Sequence, residues 1–192
     1  MKEKITNILL AGVGGQGILL ASEILAEAFM LAGHDVKKSE IHGMSQRGGS
    51  VVSHVRFGRK VFSPIVPEGE GDILFGFELL ETCRYLPLMK PGAAVVVNNL
   101  RIGPPAVLIG QEAYPEGLED KIKGLFPDFL LVEGHKLAIE AGDARAANTV
   151  LLGAVSRRLD IAEEFWAAAL KRMVPPRALD VNRRAFIMGK DL

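Results

Sequence analysis

The sequence predicts an α/β fold: one domain with a mainly parallel, Rossmann-like sheet, a β-hairpin, and helices on both faces. Short apolar runs alternate with stretches of helical period along the whole chain, the pattern of strands covered by helices. A glycine-rich turn joins the first apolar run to the first helical stretch. No linker-like or low-complexity segment divides the 192 residues, so residues 1–192 read as one domain.

Residues 7–11 form a buried first strand. After the glycine turn, residues 15–32 read as a helix whose only charges are Glu23 and Glu27; a helix apolar on nearly all sides packs in a core or against a partner. Gly33 suits its C-terminal cap, and residues 36–40 read as a second strand. Residues 50–57 alternate, with Val51, Val55 and Phe57 on one face and His54 and Arg56 on the other. Gly58-Arg59 supplies a two-residue turn, so residues 60–65 are expected as the return strand of a hairpin. Beyond Pro67 come a strand at 72–75, a helix at 78–89 and a strand at 93–97 after Pro91-Gly92. Short strands are expected at 107–109 and 129–132, and a helix at 145–159. Pro175-Pro176 separates two C-terminal helices.

Composition excludes several functions. Lys and Arg number 23 and Asp and Glu 23, so no net charge draws the chain to nucleic acid or an anionic membrane. The single cysteine, Cys83, excludes an intramolecular disulfide, a redox pair and an all-cysteine cluster within this chain; it reads as a packing residue. No run approaches the roughly 20 apolar residues that cross a bilayer. The apolar run at 8–11 breaks too soon for a signal peptide, and a cytoplasmic location is expected.

Two motifs carry chemistry. Gly12, Gly14 and Gly17 make a G-x-G-x-x-G pattern, with Gly15 and Gln16 inside it. Such glycines permit a tight turn, close approach of a phosphate and close strand–helix packing, and the following helix N-terminus favours an anion. Glu40 falls where a ribose-binding acid would end the second strand. Three readings stay open: a dinucleotide site, a site for another anion or cofactor phosphate, and a structural turn. The second motif, at residues 40–50, contains Ser45, Gln46, Arg47, Gly48 and Gly49. No acid occurs from Ile41 to Pro67, where Arg47, Arg56, Arg59 and Lys60 all lie. A glycine-rich cationic loop can direct backbone and side-chain donors at a phosphate or carboxylate, or be a solvated turn. His42, His54 and His135 match no zinc spacing, Ser45 and Ser53 lack the nucleophile-elbow pattern, and no metal site is expected. Asn148, near the start of an apolar helix, serves the backbone or faces a cofactor or interface.

Together the two blocks are specific. Ala11-Gly12-Val13-Gly14-Gly15-Gln16-Gly17-Ile18, followed by Glu40-Ile41-His42-Gly43-Met44-Ser45-Gln46-Arg47-Gly48-Gly49-Ser50, resembles the gamma-type catalytic component of the 2-oxoacid:ferredoxin oxidoreductases (the pyruvate/ketoisovalerate oxidoreductase gamma-type domain). Within that family it most resembles the branch acting on aryl 2-oxo acids such as indolepyruvate. Residues 148–154 and 182–189 resemble the family's C-terminal portion. The resemblance implies a heteromeric enzyme that converts a 2-oxo acid, CoA and oxidised ferredoxin to acyl-CoA, carbon dioxide and reduced ferredoxin. It implies that thiamine diphosphate, magnesium and iron–sulfur clusters sit on a large partner subunit, that CoA is a co-substrate, and that ferredoxin is reached through the complex. This chain would hold no cofactor alone, be inactive alone, and could form a homodimer in isolation. A free-standing Rossmann-like nucleotide-binding protein and a non-catalytic structural subunit of the same complex are the alternatives.

Overall fold

The computed structural model describes residues 5–43 and 48–192. In chain order the strands are β1 (Thr6–Val13), β2 (Asp35–His42), β3 (Ser50–Gly58), β4 (Gly71–Gly76), β5 (Met89–Asn98) and β6 (Phe129–Val132). The helices are α1 (Ile18–Leu31), α2 (Leu79–Tyr85), α3 (Pro105–Leu108), α4 (Leu118–Leu125), α5 (Gly134–Ala141), α6 (Ala147–Ser156), α7 (Glu163–Met173) and α8 (Leu179–Lys190). The strands form one sheet in the order β2-β3-β1-β4-β5-β6. β1, β4, β5 and β6 are parallel neighbours, and β3 runs antiparallel to both β1 and β2.

Ile8, Leu9, Leu10 and Ala11 are all fully buried. Successive strand residues face opposite ways, so both faces of the sheet must be covered. Ile8, Leu10, Phe75, Val96 and Val55 meet the layer that includes α1, α6, α7 and α8. Leu9, Ala11, Leu74, Val95 and Val52 meet α2 and α4. The sequence expectation of an α/β domain with helices on both faces holds. Helix α1 is wedged between the sheet and α7, which accounts for much of its apolar circumference, while Leu19, Leu20 and Met30 stay exposed. It ends where Gly33, at φ 85°, donates to the Met30 carbonyl.

The hairpin differs from the expected one. β2 and β3 are its arms, and residues 60–65 form no strand. Both edges of β3 are already paired, to β1 and to β2, so a return strand has nowhere to add. The segment satisfies its backbone otherwise: Arg56 donates to the carbonyls of Ser63 and Ile65 at 2.9 and 3.0 Å, and Val61 N–H donates to Asp35 at 2.9 Å. Residues 107–109, expected as a strand, belong to the turn of α3 and its C-terminal cap, because Pro104-Pro105 starts a helix readily and the run is exposed rather than buried. The helix expected at 78–89 stops at Tyr85 in a 3-10 turn containing Pro87, and Met89 already belongs to β5. The helix expected at 145–159 is a 3-10 turn followed by α6, with the Asp143 carboxylate capping the Arg145 N–H at 2.9 Å.

Helices α6 and α8 touch backbone to backbone. A Cβ on Gly189 would stand 1.8 Å from the Val150 carbonyl oxygen, and one on Gly153 would stand 2.1 Å from that of Phe186. Gly189→Ala should therefore cost about 3 kcal/mol as an overpacking change, lowering Tm by about 6–12 °C. Gly124→Ala, in α4 with open space around it, should be neutral or gain about 0.5–1 kcal/mol. Thermal unfolding of the two variants checks the contrast.

His54, 3% exposed, accepts the Val66 N–H at Nδ1 over 3.2 Å. Burial, with the Arg56 charge adding to it, holds its pKa below 6.5. The unfolded chain then takes up the proton first, so stability is constant above about pH 6.5 and falls as the pH drops below it. His54→Gln should reduce the Tm difference between pH 7.5 and pH 5.5, on the order of one unit either side of that pKa. Equal differences in the two proteins would refute the assignment.

Candidate functional site

The glycine turn lies at the C-terminal ends of the parallel strands, where ligands of open α/β sheets bind. Gly12 is forced to be glycine by crowding: a Cβ there would stand 2.6 Å from Gln16 Oε1 and 2.7 Å from Phe77 Cβ. The space it leaves is taken by the Gln16 carboxamide. Gln16 Oε1 accepts the Val13 N–H at 2.6 Å, and its Nε2 donates to the Phe77 carbonyl at 3.1 Å. Gln16 thus joins the ends of β1 and β4. Asn148, from the first turn of α6, donates from Nδ2 to the Gln16 carbonyl at 2.5 Å. That same Nδ2 would lie 2.7 Å from a Cβ on Gly17, whose φ is 77°.

Of the predicted residues, the structure brings Gly12, Gly14, Gly15, Gln16, Gly17, Gly48, Gly49 and Asn148 to this one pole. Gly14 N–H donates to the Gly49 carbonyl at 2.8 Å, and Gly48 N–H donates to the Gly14 carbonyl at 3.3 Å. The two motifs, more than thirty residues apart, are thereby laced backbone to backbone. Ser45, Gln46 and Arg47 lie outside the described residues. Helix α1 begins here with no side-chain cap and no acid in its first turn, so its N-terminal partial charge is left for an anion.

Glu40 is placed differently from a ribose-binding acid. β3 stands between β1 and β2, so Glu40 is two strand spacings, about 10 Å, from β1 instead of one. One carboxylate oxygen is 2.6 Å from His42 Nε2, and the other is buried with no hydrogen-bond partner. His54 is consumed by Val66, while His135 lies on α5, away from both. Among the described residues no group of three His, Cys, Asp or Glu is placed to hold a metal. Burial pushes the half-buried Cys83 thiol up, consistent with an unreactive packing residue.

Sequence reasoning missed the cavity beside the turn. A cleft of about 750 Å³ is lined by the buried Phe77 and Asn98, with Gln16, Asn148, Leu100 and the exposed Ile139 around them. Its rim carries Glu133, His135, Lys136 and Glu140. The available signal was polar residues directly after two apolar strands, Asn98-Asn99 and Glu133-Gly134-His135, at the ends of β5 and β6. Nearby, the fully buried Glu78 caps α2 through the Glu81 N–H at 2.7 Å. It also accepts the Ile102 N–H at 3.1 Å and the Tyr114 hydroxyl, pinning the connection from β5 to α4. Burial, together with the Glu78 contact, pushes the Tyr114 phenol up. A second depression, of about 570 Å³, lies at the opposite pole. There Lys90 pairs with Asp72 and Arg158 with Asp128, which leaves those groups neutralised.

The family model for pyruvate ferredoxin/flavodoxin oxidoreductase matches residues 7–192. The chain is 42% identical over 189 residues to indolepyruvate oxidoreductase subunit IorB of Thermococcus kodakarensis, covering 95% of this chain and 93% of that one. Its fold is similar to the gamma subunit of keto/oxoacid ferredoxin oxidoreductase from Geobacter sulfurreducens, with a TM-score of 0.69, 25% identity, and 97% and 96% of the two chains covered. It is also similar to 2-oxoglutarate:ferredoxin oxidoreductase from Magnetococcus marinus, with a TM-score of 0.75 and 23% identity, covering 99% of this chain and 31% of that one. That structure contains 2-oxoglutarate, coenzyme A and succinyl-CoA.

The displaced Glu40 gives a direct test of dinucleotide binding. NADH should bind weakly or not at all, at dissociation constants on the order of 1 mM or above. Micromolar affinity in a fluorescence titration, lost in Glu40→Ala, would restore the dinucleotide reading.

Proposed function

The chain belongs to the pyruvate ferredoxin/flavodoxin oxidoreductase family, and on that premise we propose that it is the gamma-type subunit of an indolepyruvate-type 2-oxoacid:ferredoxin oxidoreductase. The complex would decarboxylate an aryl 2-oxo acid oxidatively, pass the acyl group to CoA and reduce ferredoxin. The observation that carries this reading is the end-to-end match at 42% identity to a protein named as an indolepyruvate oxidoreductase subunit. Membership in a family of multisubunit oxidoreductases, together with a single thiol in the sequence, supports assigning the cofactors elsewhere. In this reading thiamine diphosphate with magnesium supplies the decarboxylation chemistry and iron–sulfur clusters carry the electrons, all on a larger partner subunit. The chain's own part is to shape and charge one wall of the ligand site.

The physical basis for that part is the pole where the two glycine motifs meet. The free α1 N-terminus and the adjoining acid-free cationic loop both favour an anion, and a CoA phosphate or the 2-oxo acid carboxylate would supply it. Arg47 is the loop's cation next to the laced glycines in sequence. The intervening β3 disfavours a free-standing nucleotide-binding protein, because it removes Glu40 from the ribose position.

Affinity purification of the native complex through this chain should recover a large thiamine- and cysteine-rich partner. The recovered complex should reduce ferredoxin in the presence of indolepyruvate and CoA. Arg47→Ala should raise the KM for CoA or the oxo acid by about 10- to 150-fold, the equivalent of a charge-assisted hydrogen bond of roughly 1.5–3 kcal/mol, or weaken assembly. Arg59→Ala, beyond the end of β3 at the opposite pole, should change either by less than about twofold, as surface substitutions usually do. Recovery of no such partner, or a complex inert toward every 2-oxo acid, would overturn the assignment.

A further inference from the structure

The sheet ends at β2, and among the described residues no further strand pairs with it. The ladder to β3 decides which of its backbone groups stay open. Gly43 N–H donates to the Ser50 carbonyl at 3.1 Å, in register with the β2–β3 pairs. An antiparallel ladder bonds every second residue to a given neighbour, so the odd-numbered residues of β2 bond to β3. Val36, Lys38, Glu40 and His42 therefore point their N–H and C=O groups outward along this eight-residue strand. An open edge of this kind is a template for another strand.

The side chains of the same four residues lie on the α1 side of the sheet. Lys38 reaches Glu23 of α1 at 3.3 Å, and Val36 packs on the core of that side. The Glu40 side chain is 12% exposed; one of its oxygens meets His42 and the other is buried without a partner among the described residues. A buried carboxylate oxygen without a donor costs free energy until one reaches it. A strand arriving at this edge with a cation opposite Glu40 would supply the donor.

A second β2 is such a strand. Laid antiparallel about a two-fold axis normal to the sheet, it keeps both α1 helices on one side and sets outward-bonding residues opposite each other. Centred on Ser39, the joint places Lys38 opposite Glu40 of the second copy, and Glu40 opposite its Lys38. On the other side of the sheet the exposed Ile41 meets the alkyl stem of Lys37. Centring on Lys38 or on Glu40 would instead bring like charges face to face, which is destabilising. Charge on an edge strand guards it against arbitrary joining, and this pattern leaves one register open.

The helices fit the same axis. α1 lies over β2 and β3, so in the joined sheet the two α1 helices stand two strand spacings, about 10 Å, apart. That is the ordinary distance between packed helices. Leu19 and Met30, both exposed, share by helical spacing the side of α1 that carries Glu23. Because the two helices run antiparallel, Leu19 of one approaches Met30 of the other. The strand joint is narrow for a stable interface, and this helix contact widens it.

We propose that the chain forms a two-fold homodimer in which β2 joins β2 of a second copy, centred on Ser39, to make one continuous sheet. The inference does not rest on the activity proposed above. In this dimer the two glycine poles point in opposite directions, so each stays open to a larger subunit.

Sedimentation equilibrium of the full-length chain should give twice its 20.7 kDa mass. In the dimer the outward amides of Lys38 and Glu40 should exchange slowly with deuterium. Lys38→Glu and Glu40→Lys each set like charges together at two symmetry-related places, and each should raise the dissociation constant about 30-fold. Mixing the two variants should restore the dimer, because both acids of one chain then face both lysines of the other. Lys123→Glu, on α4 beside the opposite edge, should change nothing. Should Glu40→Lys not fold, Lys38→Pro removes an outward N–H that β3 does not use, and should leave a folded monomer. A wild-type chain that stays monomeric up to about 100 μM, a dimer that survives the reversals or the proline, or folded variants that fail to recombine on mixing would overturn the proposal.

Discussion

Two carboxamides hold the functional pole together. Gln16 occupies the volume that Gly12 leaves empty and links the last N–H of β1 to the carbonyl that follows β4. Asn148 then fastens α6 to the Gln16 backbone from 132 residues away in sequence. The turn thus needs no ligand to define its shape, because Gln16 is fitted against Gly12 and Asn148 against Gly17. The cost of ordering a loop is met during folding rather than on binding, which leaves more of the interaction free energy for a ligand.

Much of the fold was legible because it depends on local pattern. The apolar runs at β1, β4, β5 and β6, the glycine turn and the helix cap at Gly33 each announce themselves within a few residues. What was misread depends on pairing between distant segments. Residues 60–65 have strand-like composition and follow a good turn, but nothing local reveals that both edges of β3 are taken. The run at 107–109 is apolar, with β-branched Val107 and Ile109, yet Pro104-Pro105 and the exposure of Leu108 and Ile109 make it a turn of helix. The site divides the same way. Gly12, Gly17, Gly48 and Gly49 were visible as motifs, and the resemblance they carried matched the family found by comparison. The cleft was not visible, since Asn98, Gly134 and Asn148 come from three elements and become neighbours only through the parallel sheet.

The inserted β3 also decides what lies at the sheet's margins. It pushes β2 out to one edge, where Asp35, Lys37, Lys38 and Glu40 charge a strand of mostly intermediate burial. The opposite edge is β6, only four residues long. Charge on one edge and brevity on the other are common means of preventing sheets from joining edge to edge indiscriminately. Near the glycine turn, Leu19 and Leu20 of α1 and Ile41 of β2 stay exposed.

The glycine contact between α6 and α8 carries a consequence for biosynthesis. α6 presents Asn148 to the turn, and Thr149 beside it donates its hydroxyl to Asn182 of α8 at 2.5 Å. Phe186 of α8 closes the core over α6. As the chain leaves the ribosome, the sheet and the glycine motifs emerge long before residue 189, and α6 packs on α5, α1 and β5 but lacks its most extensive contact, with α8, until that residue is out. The part of the ligand-facing pole that α6 supplies is therefore secured later than the glycine motifs it fastens. A partner that recognises the finished pole would select completed chains over nascent ones.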